Sequence, residues 1–212
     1  MALFGVTPEV MKPTALVLNI LVASIGTYKY VRADAFSWPL FWPFALAAVP
    51  LAYLGGTLSL PGHVYKPLVG LVLIYAAWHS FHKARRPWQA QTRPALPWLL
   101  LAGAGLGFLS GLTGVGGGIF LSPLLLMFRW AEARVISGVA AAFILVNSIA
   151  GLLGVMQHHP ALPEALPAWA MAAVLGGWIG AEYGSRRLGN PVIQRLLAAV
   201  LLIAGLKMLA SA

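Results

Sequence analysis

Apolar residues in this chain gather into long runs, with the charged residues concentrated between them. The runs lie at about 13–30, 39–57, 65–82, 96–112, 118–128, 135–155, 167–184 and 191–209. Most are near the ~20 residues a helix needs to cross a bilayer. The runs at 96–112 and 118–128 are expected to be too short to cross separately, and the second, of eleven residues, rises only about 16 Å against ~30 Å of hydrocarbon. It is separated from the run before it by Gly114-Val115-Gly116-Gly117-Gly118. Four glycines in five residues do not continue a helix, since each costs about 1 kcal/mol relative to alanine. They do permit unusual dihedrals and close approach to bare backbone. The pattern predicts a helix, a break, and a second short helix beginning near Gly118 with unpaired N–H groups at its positive end.

The basic residues orient these segments. If the broken segment returns to the side it entered from, one face carries Lys29, Arg32, Lys83, Arg85, Arg86, Arg93, Arg129, Arg134, Arg186, Arg187 and Arg195, and the other only Lys12, Lys66 and Lys207. If it crosses once, the residues divide equally. The excess of Lys and Arg in cytoplasmic loops favours the first arrangement. The expected fold is therefore an all-α polytopic membrane protein. Six spanning helices surround one glycine-broken re-entrant hairpin entering from the cytoplasm, with both termini outside the cytoplasmic (inner) membrane.

Composition sharpens this reading. The 212 residues are 60% hydrophobic and 9% charged, where a soluble domain carries about 25% charged residues. No signal peptide is apparent at the N-terminus and no stretch between the runs would hold a soluble domain. The absence of cysteine excludes disulfides and thiolate metal sites. The net charge of +9 is read as orientation by the bilayer, not as a nucleic-acid surface. No cofactor motif and no nucleophile–base pair stands in the spans, which argues against a membrane enzyme.

The chain also repeats itself. Ile20-Leu21-Val22-Ala23-Ser24-Ile25 matches Ile144-Leu145-Val146-Asn147-Ser148-Ile149 in five of six positions. Pro39, Gly56, Val64, Leu68, Val72 and Leu73 recur as Pro167, Gly184, Val192, Leu196, Val200 and Leu201. Three spans separate the copies, so they are predicted to lie in opposite orientations, as in secondary transporters. Residues 1–95 form a first repeat of three spans. Residues 96–212 form a second, with the hairpin and three spans. No counterpart of the glycine segment precedes the first repeat. The expected consequence is a wide outward cavity beside the first and fifth spans, or closure by a second copy of the chain in a homodimer.

Gly114, Gly116, Gly117 and Gly118 are the leading substrate-binding candidates, because non-helical backbone at membrane depth survives only where protein buries it or it lines a cavity. Thr113 and Ser122 flank the break and offer hydroxyl donors. Asn147 and Ser148 sit mid-span, where unpartnered polar groups are costly. Asn19 and Ser24 occupy the corresponding first helix. Gly103, Gly107 and Gly111 have the small-xxx-small spacing of a packing groove. Lys12 is expected to snorkel to the interface, Glu182 to pair with Arg186, and His158-His159 to lack a third metal ligand. Trp38, Trp42, Trp88 and Trp98 suit an interfacial belt. No basic residue is expected near the break, and a leucine at Gly117 is expected to block the backbone while leaving the fold intact.

The stretch GFLSGLTGVGGGIFLSPLLL, followed by an apolar helix carrying Asn147-Ser148, resembles the sulfite exporter TauE/SafE (TSUP) family of membrane anion transporters. The resemblance covers nearly all of residues 4–209 and is most specific at Gly107–Pro123. It implies two glycine-opened halves, of which this chain shows only the second. It also implies export or uptake of sulfite, sulfonates or related small anions. A secondary transporter of a small oxyanion, working by alternating access, is the expected function. A passive anion channel or a non-transporting membrane subunit is the alternative.

Overall fold

The computed structural model describes residues 8–58, 74, 78, 95–158 and 162–210. Seven helices form among them: α1 (Pro8–Arg32), α2 (Trp38–Thr57), α3 (Leu96–Thr113), α4 (Gly118–Met127), α5 (Ala133–Met156), α6 (Leu166–Arg186) and α7 (Asn190–Ala210). The span expected at 65–82 and Trp88 lie outside the described residues, apart from residues 74 and 78 of that span. Among the described residues, four helical stretches are long and apolar enough to cross a bilayer: Val10–Arg32, Trp38–Thr57, Leu96–Thr113 and Ala133–Met156. One expectation changes here. The arm before the break, at 18 residues, rises about 27 Å and reaches spanning length by itself. The arm after the break has only 10 residues. α6 has 21 residues, but Glu182, Arg186 and its glycines dilute its apolar content, and it is not among the four.

Glycine determines how α2 and α3 meet. A Cβ placed on Gly103, Gly107 or Gly111 would lie 2.6, 2.3 or 2.0 Å from the carbonyl oxygens of Phe44, Ala48 and Ala52. The contacts advance four residues at a time on both helices, so α2 and α3 run parallel with backbones nearly touching. This is the packing groove that the small-xxx-small spacing predicted.

α1 and α5 cross in the opposite sense. Leu16 lies beside Gly151, Gly26 beside Ala141 and Tyr30 beside Gly138. As one index rises the other falls, so the two helices sharing the Ile-Leu-Val motif are antiparallel.

Phe44 of α2 meets both arms of the broken segment. Gly103, early in α3, packs on its backbone, and its ring lies 6.4 Å from that of Trp130, just after α4. The chain therefore leaves α4 near the end of the bundle where it entered α3. Leu40, Phe44, Leu121, Leu125, Ile136, Val139 and Phe143 are almost wholly buried together, wedging α4 between α2 and α5. Two turns close this end in the same way. Asp34 and Arg129 take φ of 52° and 53°, and Ala35 N–H and Trp130 N–H reach back to the carbonyls of Tyr30 and Leu125 at 2.9 and 3.2 Å. Such a left-handed residue with a long return bond ends a helix by satisfying its last carbonyls. Trp38, Trp42 and Trp98 stay exposed, as a belt requires.

Candidate functional site

The break follows from three left-handed glycines. Gly114, Gly116 and Gly117 have φ of 71°, 83° and 74°, values that cost an L-residue roughly 1–2 kcal/mol. Gly114 ends α3, its N–H donating to the Ser110 carbonyl at 2.9 Å. α4 starts at Gly118, and the Phe120 and Leu121 amides donate to Gly117 O at 3.0 and 3.1 Å. Between these bonds lie four consecutive amides, those of Gly116, Gly117, Gly118 and Ile119. None of them donates to an acceptor among the described residues. Together they form the positive end of α4.

The surroundings are close and polar on one side. A Cβ on Gly116 would lie 3.0 Å from Ser148 Oγ, 3.1 Å from Asn19 Nδ2 and 2.8 Å from Ile144 Cγ2. One on Gly117 would meet Phe143 Cε1 at 2.9 Å and Ser110 Oγ at 3.2 Å. The antiparallel crossing of α1 and α5 explains the first set, because it brings Asn19 opposite Ser148. Asn19 Nδ2 also donates to Gly114 O at 3.4 Å. Ser110, Asn147 and Ser148 are fully buried, yet Ser110 Oγ, Asn147 Oδ1 and Ser148 Oγ have no hydrogen-bond partner among the described residues. Buried polar atoms in native proteins are nearly always paired, so orphans gathered around four free amides call for an explanation.

The predicted site residues divide into two groups. Gly116, Gly117, Gly118, Asn19 and Ser148 come together at the break, with Asn147 on the adjoining turn of α5. Its amide nitrogen donates to Phe143 O at 2.8 Å. Gly114 lies against Lys12. Ser122 is buried one turn into α4. Thr113 spends its hydroxyl on Leu109 O at 2.8 Å. Ser24 is exposed and bonds Ile20 O at 2.7 Å, so neither of these two turns a free hydroxyl to the break. Ser110 was not among the predicted residues. Its position one helical turn before Gly114 was the available signal.

Two expectations are corrected. A basic residue does approach the break, since Lys12 Cγ lies 2.9 Å from the Cβ position of Gly114. Its ammonium is not free there. It donates to the carbonyls of Gly55, Gly56 and Leu58 at 3.3, 3.1 and 3.0 Å, capping the negative end of α2. A leucine at Gly117 would also collide with Phe143 and Ser110 in a left-handed conformation, so that substitution disturbs packing before it reaches a ligand. Glu182 meets Arg186 at 3.6 Å as expected, but its nearer partner is Lys29 of α1. His158 hydrogen-bonds Thr57 O at 3.0 Å, His159 lies outside the described residues, and no metal-binding cluster occurs among those described.

A cleft of about 290 Å³ begins at this site. Asn19 and Ile144, which pack around Gly116, are also part of its wall, and it runs between α1, α5 and α6 to Tyr30 and Ala181. It lies beside the first and fifth spans, as expected, but extends toward the Arg32 end of the bundle, not away from it.

The sequence profile of the family described as sulfite exporter TauE/SafE matches residues 1–208. The chain belongs to the TauE/SafE family. It is similar to the probable membrane transporter protein y4hK of Sinorhizobium fredii, with 41% identity over 99% of this chain and 86% of that one. It is also similar to the probable membrane transporter protein YjnA of Bacillus subtilis, at 25% identity over 97% and 87% of the two chains. The probable membrane transporter protein MJ0441 of Methanocaldococcus jannaschii shares 24% identity over 69% of this chain and 55% of its own. No solved structure matches the chain. The protein is thus a membrane-embedded transporter. Within the matched residues, Gly107–Pro123 builds the end of α3, the break and the start of α4.

Proposed function

We propose that this TauE/SafE protein carries a small oxyanion, such as sulfite or an organosulfonate, across the cytoplasmic membrane by alternating access. The observation that supports this most is the row of four free amides at Gly116–Ile119, bordered by the unpartnered hydroxyls of Ser110 and Ser148. An oxyanion presents several strong acceptors and suits a site where four amides and two hydroxyls can donate. The end of α4 adds roughly half a positive charge. Each hydrogen bond to a charged acceptor is worth about 1.5–3 kcal/mol, so a few offset much of the cost of dehydrating the ion. The charge of Lys12 is held by α2 carbonyls, which leaves the site neutral and lets the anion leave again.

In this reading α3 and α4 form a re-entrant hairpin entered from the cytoplasm, six spans surround it in two inverted repeats, and both termini lie outside. The cleft beside α6 is the cytoplasmic path to the site. Gly180, part of the cleft wall, has no neighbour among the described residues within 4 Å of a Cβ position, while Gly177 and Gly184 hold α6 against Val22 and Tyr30 of α1, so closure of that path would pivot α6 on these contacts.

Purified protein in liposomes is expected to take up sulfite or methanesulfonate saturably and in dependence on a counterion. Uptake that rises linearly with anion concentration would identify a passive channel, and no uptake of either anion would remove the oxyanion reading.

A further inference from the structure

At the far end of the cleft, α1 and α6 are joined by an ion pair that anion binding at the break does not use. Lys29 extends from the turn between Gly26 and Tyr30, both part of the cleft wall, and Glu182 directly follows Ala181, another wall residue. The Lys29 side chain is 10% exposed and the Glu182 side chain 34%. Lys29 Nζ is hydrogen-bonded to Glu182 Oε2 and lies 3.9 Å from the centroid of the Trp178 ring. Arg186, one turn along α6, holds the other Glu182 oxygen, so the carboxylate has a second cation to retain it if Lys29 lets go. Lys29 has no other hydrogen-bonded anion among the described residues.

We propose that Lys29 is a second anion-binding station at the cleft mouth, occupied at rest by the tethered Glu182 carboxylate, which the transported oxyanion displaces onto Arg186. The proposal rests on the anion-transport reading above. A carboxylate and a sulfonate or sulfite offer an ammonium the same chemistry, two or three oxygens sharing negative charge. The exchange therefore leaves no buried charge unpaired at either stage, which a simple rupture of the pair would do. The same swap frees α6 from α1, linking arrival of the anion to movement of the helix that borders the cleft. Trp178, against the ammonium, is a reporter of that event.

The test is calorimetric titration of sulfite and methanesulfonate into purified full-length protein, with Trp178 fluorescence followed in parallel and assigned by its loss in Trp178→Phe. In the wild type Lys29 is available only in the fraction of molecules where Glu182 has moved away, which weakens apparent affinity by that fraction. Glu182→Gln is expected to tighten binding about tenfold, as for a station one-tenth available at rest. Lys29→Met/Glu182→Gln leaves no buried charge unpaired, since Arg186, which loses its carboxylate, is half exposed. It is expected to fold, to lose the Trp178 response and to bind more weakly than Glu182→Gln. A double variant with wild-type affinity and an intact Trp178 response would overturn the station, whether or not Glu182→Gln folds. A wild type that binds neither anion would overturn the transport reading itself.

Discussion

Gly107→Leu is expected to leave almost no folded protein. A Cβ at this position would stand 2.3 Å from the oxygen and 2.4 Å from the Cα of Ala48. Those are backbone atoms of a neighbouring helix, with no side chain able to swing aside. Gly103 and Gly111 fix the same seam one turn either side, so α2 cannot withdraw locally. Overpacking a core by a few methylenes costs typically about 1–3 kcal/mol, and forcing two helix backbones apart along their length exceeds that. Gly105 supplies the control. It lies two residues away on the same helix, is exposed, and has nothing among the described residues within 4 Å of its Cβ position. Gly105→Leu should fold as well as the wild type or better, because it relieves about 1 kcal/mol of glycine helix penalty. Monodispersity on size exclusion and thermal unfolding in detergent separate the two variants. Equal behaviour of both would mean that the seam does not hold the bundle together.

Ser110→Ala/Ser148→Ala is expected to nearly abolish anion binding without weakening the fold. Both hydroxyls are buried and unpartnered, so deleting them removes an existing desolvation penalty and breaks no bond. In the bound state each would donate to the anion. Loss of one such bond, at about 1.5–3 kcal/mol, corresponds to roughly tenfold to a hundredfold in affinity, and the two together to more. Ordinary core serines would give the opposite pattern, a loss of stability with affinity unchanged. Titration with sulfite alongside thermal unfolding distinguishes them.

How much of this was legible in the sequence depends on distance along the chain. The break was legible because glycine density is a local property, and three of its four glycines do take positive φ. The α2–α3 seam was legible from the four-residue spacing of Gly103, Gly107 and Gly111, although its partner was not. The meeting of Asn19 with Ser148 was not legible, because the internal repeat aligns Asn19 with Phe143, whereas the antiparallel crossing sets it opposite a residue five positions later. Lys12 was misread for a related reason. Its partners Gly55, Gly56 and Leu58 lie 43 to 46 residues away, and snorkelling is what a lysine near a span end does when nothing nearer accepts its charge. The Lys29–Glu182 pair, 153 residues apart, was hidden behind the local Arg186 alternative. Composition and periodicity therefore identified the segments and the break, while the polar contacts between segments needed the packed helices.

The central claim is that the anion sits on the bare amides of the break. Hydrogen–deuterium exchange across residues 114–121, in lipid nanodiscs with and without saturating sulfite, tests it at those atoms. Amides that lack an acceptor exchange whenever water reaches them along the cleft and are slowed when a ligand occupies them. The account predicts slowed exchange at Gly116, Gly117, Gly118 and Ile119 when sulfite is bound, with Phe120 and Leu121, already bonded to Gly117, unchanged. Sulfite binding established by calorimetry that leaves those four amides exchanging at the free rate would contradict it.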